Sequence, residues 1–184
     1  MFFRDKHKLI KDGQKRLIGN KSFPVGRSFN DLIPRLDSKE FISNYEYFTF
    51  GDLLDEVRKA GKNCLISSFD VKDAFKNCRM ATSELWQQVY KIQGKFYIDL
   101  GGTFGSRNAG DAWNRLMELL VRSARKRCKI LAIFCYVDNL IIITPPLNGK
   151  PDFDRAKSEF ESVLKFMVQA GVPVHELLKP THRP

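Results

Sequence analysis

The sequence predicts an α+β fold, an antiparallel sheet with helices packed on one face. Three observations predict it. Residues 130–137 and 140–143 are apolar and largely β-branched, and Pro145-Pro146 closes them, so they read as two buried strands joined by a tight hairpin. Three other stretches place apolar residues three and four apart, the spacing of amphipathic helices. From Cys64 onward the order is strand, hairpin strands, helix, hairpin, helix, strand.

Taken in order, residues 4–22 are strongly basic, with Arg4, Lys6, Lys8, Lys11, Lys15, Arg16 and Lys21. Lys11-Asp12-Gly13-Gln14 is a turn signal between Leu9-Ile10 and Leu17-Ile18, so a small basic β-hairpin is expected. It is a solvated charged hairpin or a phosphate-gripping surface. Residues 23–50 are rich in Pro, Asn, Ser and aromatics and read as an irregular connector. Leu53, Leu54 and Val57 mark a helix over 50–60, with Gly61 as its C-terminal cap. Cys64 to Phe69 is strand-like and ends at Asp70. Residues 88–92 and 95–100 flank Gln93-Gly94 as a second hairpin. Gly101-Gly102-Thr103-Phe104-Gly105 is a loop feeding a long helix, whose apolar face is Ala109, Ala112, Trp113, Leu116, Met117 and Leu120. The cations that follow, from Arg122 to Lys129, suit the negative end of the helix dipole. They also suit a nuclear localisation signal. A last helix over 153–170 shows Ala156, Phe160, Val163, Leu164 and Met167. Gly171 closes it, and Val172-Pro173-Val174 is a short edge strand.

A chain of 184 residues with 43% hydrophobic content fits one domain with a real core. Its 31 basic and 21 acidic residues leave a net charge of +10, which favours a polyanionic partner, nucleic acid before membrane. Cys64, Cys78, Cys128 and Cys135 have no metal-ligand spacing and read as reduced core residues of an intracellular protein, in nucleus or cytoplasm. The charged N-terminus is no signal peptide, and no apolar run reaches membrane-spanning length.

The chemistry concentrates at Asp138-Asn139, expected as the turn of the 130–143 hairpin. One reading is a core hairpin with a polar tip. Another follows from the cost of a carboxylate between apolar strands, which a bound cation relieves. Asp70 ends another strand. If the two strands are neighbours, both carboxylates lie at one sheet edge. Two such carboxylates in a basic domain suit a two-metal phosphoryl-transfer site.

Five segments carry a family resemblance. Phe69-Asp70-Val71-Lys72-Asp73-Ala74-Phe75 resembles the first catalytic motif of reverse transcriptases. Tyr136-Val137-Asp138-Asn139 resembles their Tyr-x-Asp-Asp hairpin. Thr103-Phe104-Gly105-Ser106-Arg107-Asn108-Ala109 is similar to their Pro-Phe-Gly-Leu-Arg-Ser-Ala segment, and residues 11–18 are similar to their fingers hairpin. Phe23-Pro24-Val25-Gly26-Arg27-Ser28-Phe29-Asn30-Asp31 resembles a segment of DIRS-type retrotransposons, which carry a tyrosine recombinase. The resemblance runs from about residue 11 to 179, in the family's order.

The resemblance implies a polymerase palm with an antiparallel sheet and packed helices, plus a small fingers hairpin. Residues 1–62 would be the fingers part and connector, and 63–184 the palm. It implies Asp70 and Asp138 as ligands of Mg²⁺ or Mn²⁺, with the Val71 carbonyl helping, and Asn139 beside them in the catalytic hairpin. Phe75 would be the gate under the sugar that excludes a 2′-hydroxyl. Lys11 and Arg16 would grip the incoming deoxynucleoside triphosphate. Phe104, Gly105 and Arg107 would lie near the templating pair, Tyr136 would buttress the primer end, and Lys179 falls near a palm lysine. The implied partners are template-primer and deoxynucleoside triphosphates, with no membrane.

The departures bear on activity. Asn139 replaces the second hairpin aspartate, Thr103 replaces a Pro, Gly110 replaces another Pro, and Gly19-Asn20 stands where many relatives have an acidic residue. An amide oxygen can coordinate a cation but brings no charge. Negative-strand RNA virus polymerases use an Asp-Asn pair in the equivalent hairpin. The thumb is expected to be absent, so additional domains or subunits would supply it. Two readings stay open: a weak RNA-directed DNA polymerase, and a catalytically silent, co-opted palm that binds nucleic acid or protein.

Overall fold

The computed structural model describes residues 2–5, 15–18, 21–33, 48–103 and 105–174. The chain divides into two compact units, Met1–Asn44 with Phe75–Trp113, and Tyr45–Ala74 with Asn114–Pro184.

In the first unit, β1 (Phe2–Asp5) pairs antiparallel with β2 (Lys15–Ile18), Phe3 opposite Leu17 and Arg4 opposite Arg16. An antiparallel pair is present in this basic stretch, but the strand facing Lys15–Ile18 is Phe2–Asp5, not the Leu9-Ile10 segment expected from the sequence. Leu9-Ile10 and the turn at 11–14 lie outside the described residues. Of the connector, residues 23–33 and 48–50 are described. Its short turn Phe29–Asp31 is capped by Ser28, whose N–H and hydroxyl donate to the Asp31 carboxylate at 2.8 and 2.6 Å. Those donors hold the Asp31 carboxyl below the usual carboxylate range.

In the second unit, α1 (Phe50–Ala60) starts with a capping box. The Thr49 side chain accepts from Asp52 N–H, and the Asp52 carboxylate accepts from the Thr49 N–H and hydroxyl. Gly61, at φ 94°, ends the helix where a left-handed residue is needed. Next comes β3 (Leu65–Asp70). Back in the first unit, β4 (Val89–Ile92) and β5 (Lys95–Ile98) form a separate two-stranded sheet. Gln93 and Gly94 turn it, both at positive φ as a type I′ hairpin requires.

The helix α2 (Ala109–Cys128) begins in the first unit and runs into the second. Its buried stripe is narrower than the apolar spacing suggests. Ala109, Trp113, Met117 and Ala124 are buried, whereas Leu116 is 38% exposed and Ala112 is exposed. A polar residue, Asn114, is buried instead.

The strands β6 (Ala132–Tyr136) and β7 (Asn139–Thr144) complete a three-stranded antiparallel sheet in the order β3-β7-β6. β7 is central, which explains its unbroken apolar run. Ile142 and Ile143 point to opposite faces and are both fully buried. The sheet is thus covered on both sides at this strand, rather than on the one side expected. α3 (Phe153–Gln169) packs on β3 and β7 through Val163, Leu164 and Met167, and Phe160 meets Phe69 edge-on at 5.6 Å. A carboxylate also enters this interface. Glu159 Oε2 accepts from the Thr144 hydroxyl at 2.6 Å, and Glu159 Oε1 accepts from Arg155 Nε at 2.9 Å. After Gly171 the expected edge strand is reduced to a single antiparallel bridge, Val174 to Val71.

Candidate active site

The pairing that the sequence left open is the one that builds the site. Asp70, the last residue of β3, stands opposite Asn139, the first of β7. One residue on, Val71 N–H donates to the Asp138 carbonyl at 2.7 Å. Lys72 N–H donates to the Pro173 carbonyl at 2.9 Å, which pins the chain leaving Asp70. Asp70, Val71, Asp138 and Asn139 are thereby gathered at one end of the central strand.

The turn itself differs from expectation. Tyr136 pairs with Asn139, so the two loop residues are Val137 and Asp138, and Asn139 belongs to the strand. Val137 carries φ 57°, a left-handed conformation in which a β-branched residue is a steric outlier. Asp138 is not left-handed, so positive φ falls on the first loop position alone, the pattern of a type II′ turn. The polar pair suggested the turn because Asp and Asn tolerate positive φ. The two-residue spacing between paired strands decided otherwise. Strain of this kind at a hairpin tip is found where geometry serves a site.

The tip is electrostatically demanding. Burial pushes the Cys135 thiol up to about 12, and the nearby Asp138 charge adds to the rise. Asn139 Nδ2 faces Asp138 Oδ1 at 3.4 Å. The donors available to a cation are the oxygens of Asp70 and Asp138 and the backbone oxygen of Val71. An all-oxygen set suits Mg²⁺, which keeps waters and substrate phosphates in its remaining positions. Among the described residues no group of three His, Cys, Asp or Glu side chains could hold a metal.

Phe75 belongs to the first unit. It lies in the tight turn Ala74–Asn77, preceded by Asp73 at φ 52°. Gly101 and Gly102 back this turn. A Cβ on Gly101 would lie 2.4 Å from the Lys76 carbonyl oxygen, and one on Gly102 would lie 2.6 Å from that of Phe75. Gly102 N–H donates to the Cys78 carbonyl at 2.9 Å, and Lys76 pairs with Asp99 at 2.7 Å. Only glycines admit so close an approach of two backbones.

In the same unit Asn30 clasps the segment containing Gly105 and Arg107. Its Nδ2 donates to the Gly105 carbonyl at 2.7 Å and to Ser22 Oγ at 2.8 Å, and its Oδ1 accepts from Arg107 N–H at 2.8 Å. Arg107 also donates through Nη1 to the Ile33 carbonyl at 2.6 Å. Thr103, standing where the similar segment has Pro, is buried and donates to Gln88 Oε1 at 3.4 Å. Sequence reasoning missed the burial of Asn30 and Gln88, because a polar residue gives no such signal, whether in an aperiodic connector like Asn30 or at the head of a strand like Gln88. Arg16 is placed by its backbone in β2, while Lys11, Phe104 and Lys179 lie outside the described residues. Tyr136 is 52% exposed beside the tip, with the Phe48 ring 6.0 Å away, edge-on.

The sequence profile of the reverse transcriptase (RNA-dependent DNA polymerase) family matches residues 6–176. No curated protein sequence is significantly similar. Among solved structures, the fold is similar to a foamy viral protease-reverse transcriptase in complex with double-stranded DNA. That match has a TM-score of 0.62 at 17% identity, covering 94% of this chain and 25% of that one. It is also similar to the native protease-reverse transcriptase of prototype foamy virus, with TM-score 0.62 and 18% identity, covering 90% of this chain and 19% of that one. The chain spans a quarter or less of the length of these structures. A profile match across most of the residues, with a palm sheet that joins Asp70 to the Asp138 hairpin, places the chain in the reverse transcriptase family.

Proposed function

We propose that this palm transfers nucleotides onto a primer 3′ end, weakly in isolation. The single observation that carries the reading is the corner where Asp70 faces Asn139 and Val71 N–H binds the Asp138 carbonyl. It brings the backbones of Asp70 and Asp138 to one end of the central strand, which supports a site shared by their carboxylates. Asp70 and Asp138, with the Val71 carbonyl, would hold Mg²⁺ or Mn²⁺. When bound, such ions activate the attacking hydroxyl and stabilise the leaving oxygen.

The remaining residues bind and orient. Lys11 and Arg16 meet the triphosphate charge, and Phe75 stands under the sugar and refuses a 2′-hydroxyl. Gly105 and Arg107, with Phe104, shape the floor near the templating pair. Tyr136 supports the primer end, and Lys179 contributes a further cation. The primer 3′ oxygen bonds to the α-phosphorus, the bond to the bridging oxygen breaks, and pyrophosphate departs. Template-primer is the polyanion that the +10 charge attracts. Residues 1–62 serve as fingers part and connector and 63–184 as palm, a functional division distinct from the two compact units. The segment 23–31 supports a DIRS-type lineage.

Asn139 supports a second reading, a silent palm retained for binding. Primer extension separates the two. The polymerase reading expects slow extension that improves with Mn²⁺, improves again in Asn139→Asp, and vanishes in Asp138→Ala. No extension by wild type or Asn139→Asp with either ion, alongside intact nucleic-acid binding, would establish the silent palm.

A further inference from the structure

Lys21 is 8% exposed, an unusual place for an ammonium group. Its Nζ donates to Gln88 Oε1 at 3.0 Å and to the Gln87 carbonyl at 3.3 Å. The same atom lies 5.0 Å from the centroid of the Phe29 ring and 4.8 Å from that of Tyr90. Two neutral oxygens and two ring faces thus replace its water, the rings through cation–π attraction.

The consequence runs through Gln88, which is 1% exposed. An ammonium has donors and no acceptor, so the Gln88 amide must turn its oxygen, not its NH₂, toward Lys21. That oxygen is then also the acceptor for the Thr103 hydroxyl. Remove the cation and the amide is free to turn over, so that the Thr103 hydroxyl, which can donate or accept, is no longer held in one sense. Lys21 acts a second time through its backbone, because its carbonyl accepts from Asn30 N–H at 2.9 Å. Asn30 in turn holds Gly105 and Arg107. One buried residue is therefore linked to both ends of the loop from Thr103 to Arg107.

We infer that Lys21 is a positioning residue, which fixes this loop by dictating the orientation of the Gln88 amide and by seating Asn30. What the loop does rests on the polymerase reading above; that Lys21 holds it does not. The charge matters through the direction of one amide, so a neutral residue of similar length cannot replace it, whereas a carboxylate at position 88 can replace the amide.

The test uses hydrogen exchange on the whole chain, with Lys21→Met, Gln88→Leu and Gln88→Glu. Lys21→Met and Gln88→Leu should speed exchange at the Ser106 amide, which donates to the Thr103 carbonyl, by about tenfold, with Arg107 less affected because Met keeps the carbonyl that seats Asn30, and with Ile142 and Ile143 unchanged. Gln88→Glu should keep the protection. Unaltered exchange at Ser106 in Lys21→Met overturns the inference, as does loss of protection there in Gln88→Glu equal to that in Lys21→Met. Should Lys21→Met expose Ile142 and Ile143 by unfolding globally, Gln88→Leu decides the question in a protein that keeps the ammonium. A second measurement follows deoxynucleoside triphosphate binding to the template-primer complex. A faster-exchanging loop with unchanged nucleotide affinity upholds the holding role of Lys21 and refutes the nucleotide role of the loop.

Discussion

Glu159 is the sharpest test of the packing. It sits 9% exposed on α3, with its oxygens shared between the fully buried Thr144 hydroxyl and the half-exposed Arg155. Glu159→Ala takes away the acceptor of the Thr144 hydroxyl, which is buried from water. Leaving that donor unsatisfied costs about 1–3 kcal/mol. Loss of one buried methylene adds about 0.8 kcal/mol. Arg155 turns to solvent, so its lost ion pair contributes less than about 1 kcal/mol. The expected total is about 3 kcal/mol, or a fall in Tm of roughly 6–12 °C for a chain of this length. Thr144→Val in the Glu159→Ala background removes the stranded hydroxyl and should recover about 1–2 kcal/mol, because an apolar pair leaves no polar group unsatisfied. Urea unfolding of wild type, both single variants and the double variant gives the cycle. A Glu159→Ala cost under about 0.5 kcal/mol, or strict additivity in the cycle, would refute the argument that this hydrogen bond is what seats α3 on β7.

Other predictions follow from the site and its supports. The folded Cys135 thiol keeps its proton well above the ordinary value of 9.0, whereas the unfolded chain loses it there. Stability should therefore fall as pH rises from about 9 to 12, by at most ~1.4 kcal/mol per pH unit, and Cys135→Ala should flatten the slope in urea melts at stepped pH. Cys78 and Cys128 are shifted up by burial too and add to the slope in the same sense. Thr49→Ala should cost about 1 kcal/mol through loss of the α1 cap, read by thermal melting. Gly102→Ala should destabilise the chain and disturb Phe75, since its Cβ meets a carbonyl oxygen at 2.6 Å; unchanged exchange at Cys78 and Gly102 would contradict this. Under the polymerase reading, Phe75→Val should admit ribonucleotides more readily in primer extension, and equal discrimination would move the sugar gate elsewhere.

The amount legible in the sequence differed by element. The apolar runs before and after Asp138 identified both hairpin strands, because few residues other than core strand residues form such runs. Gly61, Gln93-Gly94 and Gly171 marked ends and turns that only left-handed residues make cheaply. The pairing of Asp70 with Asn139 was out of reach, since no local pattern specifies which distant strand lies beside β7. The turn was misassigned by one residue, because side-chain tolerance of positive φ favoured Asp-Asn while the pairing put the strain on Val137. Lys21, Asn30, Gln88 and Glu159 are polar residues buried by tertiary contacts, so composition counted them as surface. Leu116 stood in the helical stripe yet is 38% exposed, a reminder that a wide apolar face need not be covered across its width.

The unbroken apolar character of β7 has an evolutionary corollary. A strand that alternates polar and apolar residues resists sliding, since a one-residue slip turns its apolar side to water. Leu140 to Ile143 offer no such resistance, because either set of alternate residues satisfies a covered sheet. With Thr144 pinned to Glu159, the two-residue tip meters where Asp138 falls. One inserted residue there would leave a foldable, hydrophobic hairpin with its carboxylate displaced by about 3.3 Å relative to Asp70. Descent could thus silence such a palm by a single codon while leaving its architecture almost untouched, and indels at the tip would be a more telling record of lost activity than substitutions in the core.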